Sequence, residues 1–416
     1  MRDPLEFEKT VLSNGITVYG RNTNDPFVFI RIYVPLGHIH NTGLVIPGSA
    51  HLLEHMCCKR SIAFPEKNSF SRFTALNGGY YNAHTGYVDT KYHCSAPASL
   101  FHQAFQGLVS QVFEPTLSEE DLQNEVSVIS NERNTKNKWY PAETQLDHYM
   151  NTQWKHDCPS NLNQIFGSDE ELQSMTIERL QNLHQCYFNT SSYVIVGGDY
   201  DQDFVASELS RFHATSQALP EAYKERNWVR KEYHEVAFPE ENNFTYCVAG
   251  ITEESKRETL FGLHFLGRLL TNSVHGPLNE WLRNELGWSY GVDFGFGYGN
   301  RIRKPSWGIN LPVNTHAQAT HVRSELHGKI EEAISNPRLI AVEQSRRLAQ
   351  DLFSYQTLLD SIEDAENHLG VDGRIELQSE TQLMMRELPS VEFLRDIYET
   401  HMAPGIVGEI LTTPEP

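Results

Sequence analysis

The chain has 416 residues, 39% of them hydrophobic, with a formal charge of −20 and a pI near 5.4. That length exceeds what one hydrophobic core usually serves, so two or more domains are expected. The acidity argues against nucleic acid as a partner, because its phosphates would be repelled. No apolar run approaches a bilayer span, and residues 1–9 hold no apolar signal core, which gives the expectation of a cytoplasmic protein with no membrane association. Six scattered cysteines read as free thiols.

In chain order, 10–12 and 16–19 read as strands joined at Asn14-Gly15, a hairpin signal, and 28–34 reads as a further strand. His38 and His40 read as surface loop residues. Pro47 and Gly48 break the chain before Ser49, the expected N-cap of a helix carrying His51-Leu52-Leu53-Glu54-His55. Offsets of three and four share one helical face, so His51 and His55 could grip one metal ion while Glu54 reaches whatever else that metal holds. Neutral imidazole is a good zinc ligand, and His-x-x-Glu-His is the inverted zinc-protease arrangement. Cys57 and Cys58 follow closely, but an adjacent pair cannot both turn inward on one helix.

A second helix near 68–76 leads to Gly78-Gly79 and one strand through about Cys94. Helical patterns follow at about 100–112, 118–134, 142–154 and 177–187, then a strand at 193–199 and a helix at 203–212. Ser118-Glu119-Glu120-Asp121 is a capping signal. Beyond it Glu125 and Glu132, seven residues apart, fall on one face beside Val128 and Ile129. Two carboxylates on the apolar side of a helix need a reason.

The connection over 213–226 reads as the domain boundary, giving a first domain over 1–215, a linker over 216–226 and a second domain over 227–416. The second half starts again with strands near 234–238 and 243–248 and a helix over 257–271. That repeated ordering predicts an α+β protein of two related domains, each a mostly antiparallel sheet packed with helices. No second His-x-x-Glu-His occurs, and His264 reads as a core histidine. Arg283 and Tyr290 lie in the stretch 278–291, which taken alone is an amphipathic helix ending at Gly287. Val292, Phe294, Phe296 and Tyr298 alternate as a strand with one bulky face; long helices over 316–336 and 341–369 and a strand over 406–411 close the chain.

Three stretches in this order, 12–18 (Leu-Ser-Asn-Gly-Ile-Thr-Val), 48–56 with the histidine motif and 78–85 (Gly-Gly-Tyr-Tyr-Asn-Ala-His-Thr), resemble the pitrilysin or insulysin family (M16) of zinc metallopeptidases, which includes the mitochondrial processing peptidases. The resemblance covers nearly the whole chain and is stronger in the first half. It implies a LuxS/metallohydrolase-like fold and one zinc ion per chain, held by His51, His55 and Glu132, the last standing 132 − 55 = 77 residues after His55. It makes Glu54 the general base and Glu125 the residue that orients a zinc-binding histidine. Asn82, Ala83 and Thr85 would lie on the edge strand that receives substrate, while Arg283 and Tyr290 would reach the active site as catalytic and substrate-contacting residues from the C-terminal domain. Family members enclose peptides in a chamber of four such domains, so this two-domain chain implies a clamshell formed by a homodimer, with a heterodimer left open. The expected activity is zinc-dependent endopeptidase cleavage of unstructured peptides; the alternative is a non-catalytic or partner-dependent peptide-binding subunit. One departure is Arg60, where the family usually has glycine after its lysine.

Overall fold

A computed structural model describes residues 3–40, 46–86, 88–139, 165–188, 191–212, 233–238, 244–298 and 304–414. The helix expected over 142–154 and the connection over 213–226 lie outside these residues. Two compact units are present, the first drawn from within 1–140, 159–224 and 357–367, the second from within 141–158, 225–356 and 368–416.

In the first unit the elements are β1 (Glu8–Val11), β2 (Thr17–Asn22), β3 (Phe27–Val34), α1 (Ser49–Cys57), α2 (Ser69–Leu76), β4 (Tyr80–Thr85), β5 (Thr90–Pro97), α3 (Phe101–Phe113), α4 (Glu119–Trp139) and β6 (Tyr193–Gly198), with short helices at Asp169–Gln173, Ile177–His184 and Gln202–Ser210. The strands form one sheet in the order β1-β2-β6-β3-β5-β4, in which β2 and β6 run parallel and every other pair is antiparallel. Gly15, at φ 87°, makes the β1–β2 turn, and the Asn14 side chain accepts from Ile16 N–H at 3.1 Å. The expected single strand through Cys94 is instead a hairpin of β4 and β5, closed where Gly86 N–H donates to the Asp89 carbonyl at 2.7 Å.

Alternation sorts the two faces of the sheet. Val28, Ile30, Ile32 and Val34 of β3 are buried in one core with Leu52, Leu53 and Met56 of α1 and Phe105 and Leu108 of α3. Arg31 falls on the opposite face and meets Glu363 and Glu366 at 3.7 and 3.9 Å. Strand β4 is left at the sheet's edge.

The second unit contains β7 (His234–Phe238), β8 (Phe244–Ile251), a helix at Arg257–Thr271, β9 (Asp293–Gly297), β10 (Ser306–Val313) and β11 (Ile406–Pro414). Its sheet order is β7-β11-β8-β10-β9, with β7 and β11 parallel and the other pairs antiparallel. Strand for strand this repeats β2-β6-β3-β5-β4 of the first unit in both order and direction. The helix expected over 341–369 is two helices, Pro337–Asp351 and Leu358–Asp372. The expected amphipathic helix before Gly287 is a short turn, Pro277–Asn279, continued by a π-helix over Glu280–Glu285, where Leu286 N–H reaches back to the Trp281 carbonyl at 3.0 Å.

Candidate active site

The site begins at the entry to α1. Ser49 does not cap it: the N-cap is Gly48 in the left-handed region at φ 85°, without a side-chain cap, and the buried Ser49 hydroxyl lies 3.4 Å from Met175 Sδ. A Cβ on Gly48 would stand 2.6 Å from the Phe166 carbonyl oxygen. This close crossing sets the Phe166 ring edge-on to His51, with centroids 5.2 Å apart.

Apolar residues on α1 face the core and leave Glu54 toward Thr85 of β4 and His51 and His55 toward α4. There Ser118 Oγ accepts from Asp121 N–H at 3.2 Å, so the expected cap is formed. Ile129 is buried but Val128 is 45% exposed, which places Val128 off the face shared by Glu125, Ile129 and Glu132. The end of α1 is tied to the start of α4 by the fully buried Asp121 carboxylate, which accepts from Arg60 Nε at 2.8 Å and lies 3.0 Å from Lys67 Nζ. Arg60 adopts no positive φ, so the loss of glycine there costs the turn nothing and adds this tie.

Between the helices, ligand atoms of His51, His55 and Glu132 all lie within 4.8 Å of one another. His51 Nε2 and His55 Nε2 are 3.2 Å apart, and Glu132 Oε2 is 3.7 and 3.8 Å from them. Two nitrogens held by one tetrahedral zinc at about 2.0–2.1 Å would stand roughly 3.4 Å apart. The donor set and its spacing therefore fit zinc. His55 Nδ1 lies 3.0 Å from Glu125 Oε2, and Lys59 Nζ lies 3.0 Å from the other oxygen of that carboxylate. Burial works to raise the Glu125 pKa, but the bonds from His55 and Lys59 outweigh it and hold the group below its ordinary range.

Glu54 is buried at 6% exposure, and that burial raises its pKa against the opposing pull of His55 and Thr85. Thr85 Oγ1 donates to Glu54 Oε2 at 2.6 Å, and Thr90 Oγ1 lies 3.4 Å from Thr85 and donates to the Leu36 carbonyl at 2.7 Å. Thr85, expected to meet substrate, is thus buried behind the acid. Asn82 is exposed on the edge strand with its amide on Tyr80 Oη at 3.0 Å, and Ala83 is half-buried. Arg283 and Tyr290 belong to the second unit, where the guanidinium lies 5.0 Å from the ring centroid and Tyr290 is 88% exposed.

Cys57 is buried in the core, and Cys58 Sγ accepts from Tyr81 Oη at 3.0 Å, away from the ligand cluster. His38 and His40 are not surface residues: both are buried, His38 Nδ1 lying 3.0 Å from the Gly86 carbonyl and His40 Nδ1 accepting from Gly37 N–H at 3.1 Å. Burial holds the His40 pKa down. Sequence reasoning missed the parts of Thr85 and Lys59. A signal existed for each, since Lys59 follows His55 by one helical turn and Thr85 shares strand parity with Ala83 and Tyr81.

Residues 16–162 match the family model described as insulinase, peptidase family M16, and residues 174–337 match the model described as peptidase M16 inactive domain. The chain belongs to peptidase family M16. Over 103 residues it is 29% identical to the insulin-degrading enzyme-like 2 protein of Arabidopsis thaliana, a match spanning 24% of this chain and 11% of that protein. A protease from Helicobacter pylori superposes with a TM-score of 0.82 at 16% identity, covering 98% of this chain and 99% of that one. The periplasmic protease PqqL of Escherichia coli gives a TM-score of 0.79 at 13% identity over 100% of this chain and 46% of its own. The first of these structures shares the two-domain α+β fold of this chain over its whole length, and the second repeats it over about half of its own. Among the described residues no helix is long and apolar enough to cross a membrane.

Proposed function

We propose that this M16 chain is a zinc-dependent endopeptidase acting on unstructured peptides. The observation that carries the reading is the convergence of His51, His55 and Glu132 beside the buried Glu54. A zinc ion held by those three residues would polarise a carbonyl and lower the pKa of a bound water to about 7.

The chain's own groups supply the rest. Thr85 holds Glu54 by Oε2, which leaves Oε1 to take a proton from the attacking water and pass it to the departing amine. The burial that raises the Glu54 pKa makes it a better proton acceptor than a solvated carboxylate. Glu125 accepts the Nδ1 proton of His55 and so fixes the tautomer whose Nε2 lone pair faces the ligand cluster. The free edge of β4 offers main-chain groups on which an extended peptide could add as a further strand, with Asn82 and Ala83 beside it.

Arg283 and Tyr290 complete the proposal as substrate-contacting residues, a guanidinium for a peptide carbonyl or carboxylate and a phenol for the developing oxyanion. Their exposure supports a role toward another molecule. In the proposed homodimer each zinc site is completed by the second unit of the other subunit, and the enclosed space admits peptides but not folded proteins. We keep a cytoplasmic location as part of this reading, to be checked by cell fractionation.

The test is cleavage of a mixed set of unstructured peptides by the purified chain, with and without a zinc chelator and beside Glu54→Gln. Cleavage lost in both cases is expected. A protein holding one zinc per chain that cleaves nothing would overturn self-sufficient catalysis and favour a partner-dependent, peptide-binding subunit.

A further inference from the structure

Within the second unit lies a cavity of about 400 Å³, at the small end of ligand-pocket sizes. Its wall is built by three helices, Arg257–Thr271, Pro337–Asp351 and Gln378–Glu387. His264 and Arg268, one helical turn apart, line it from the first, and Arg346, Arg347 and Asp351 line it from the second.

These cations are not alike. Arg346 is satisfied, with Nε donating to Glu343 Oε2 at 2.8 Å, and that fully buried carboxylate also lies 3.1 Å from His275 Nε2. Asp351 is occupied as well, its Oδ2 accepting from the amides of Gln378 and Gln382 at 2.9 and 2.7 Å. Among the described residues, Arg268 and Arg347 make no hydrogen bond or ion pair. Arg347 is partly buried, and this burial holds its pKa below the ordinary arginine value against the pull of the Glu343 carboxylate. Neighbouring His264 is pushed down to about 3, first by burial and then by Arg347 and Arg268, so it adds no charge of its own. In a chain of formal charge −20, Arg268 stands exposed and hydrated at the rim, while a part-buried Arg347 without a hydrogen bond facing the same small cavity is a standing cost to folding. Such a cost is removed when a multiply charged anion enters, because each guanidinium forks onto a phosphate or carboxylate through two parallel bonds.

We propose that this cavity binds a compact polyanion, a phosphate- or carboxylate-bearing small molecule, through Arg268 and Arg347. The proposal is independent of the peptidase reading, since it concerns a different cluster and its test reads binding alone.

Calorimetric titration and thermal melting would be run on the full chain with pyrophosphate, citrate and chloride at matched ionic strength. Saturable binding and a raised Tm are expected with pyrophosphate or citrate but not with chloride, and the tighter of the two identifies the source of the anion. Arg347→Met and Arg268→Met are each expected to weaken binding at least tenfold, whereas Lys256→Met on the exposed surface leaves it unchanged. Without anion, Arg347→Met is expected to melt at or above the parent temperature, which separates a binding residue from a structural one. Absence of binding, equal binding by the arginine variants, or an Arg347→Met protein that melts lower without ligand would each overturn the proposal.

Discussion

The acid at the centre of the site is held by a side-chain hydrogen bond that a single methyl group would remove. Thr85→Val keeps the shape of the side chain but withdraws the donor to Glu54 Oε2. Peptide turnover is expected to fall about 10- to 100-fold with zinc content unchanged, since general-base catalysis as a whole contributes roughly 10²- to 10⁴-fold. Metal analysis beside steady-state kinetics would check this; loss of both zinc and activity would sink the positioning role. At the helix entry, Gly48→Ala must accept a left-handed φ and a carbonyl at 2.6 Å, so a loss of more than about 2 kcal/mol in chemical denaturation is expected. The candidate metal-binding pair and the acid were legible in the sequence because helical offsets of three and four are local. Thr85 was not, because its partner lies 31 residues away on another element. His38 was misread for the same reason, its partner Gly86 lying 48 residues away, and His40 because a local turn back to Gly37 N–H satisfies it out of solvent.

Between elements, the relation of α1 to α4 decides whether two histidines and a glutamate meet, and Asp121 is the tie that holds it. Burial alone would raise its pKa, but the bonds from Arg60, Ser118 and Lys67 outweigh that and hold it below the ordinary value of 3.8. A depressed folded-state pKa gives stability that is fully present above 3.8 and is lost as the pH falls through the lowered value. Asp121→Asn should therefore cost about 2 kcal/mol at neutral pH, and the gap from the parent should close under strongly acid conditions. Denaturant melts at several pH values measure it; a gap independent of pH would show that the charge is not what holds the helices. The long amphipathic elements were read correctly from their periodicity, whereas the β4–β5 hairpin and the break between Asp351 and Leu358 were not. In both, the turn carries no Asn-Gly or Pro signal, and it is set by backbone hydrogen bonds or by packing.

At the scale of the whole molecule, the proposed sharing of sites between subunits has a complementation test. Equal amounts of Glu54→Gln and Arg283→Ala chains, each inactive alone, would form mixed dimers in which one site carries both defects and the other neither. Random reassociation then restores about a quarter of the parent activity. No restoration after subunit exchange would place both residues in the same subunit's site. The topology of the two sheets has a further bearing on synthesis at the ribosome. In each unit the last strand to be made, β6 or β11, inserts between two strands made long before, so neither sheet can close until that strand emerges. The sheet of the first unit can close once residue 198 is free of the exit tunnel, while β7 and β8 of the second must wait about 160 residues for β11. That delay leaves open strand edges on the nascent chain, and removing residues 406–414 would make the delay permanent, turning a folded unit into a substrate for chaperones and aggregation.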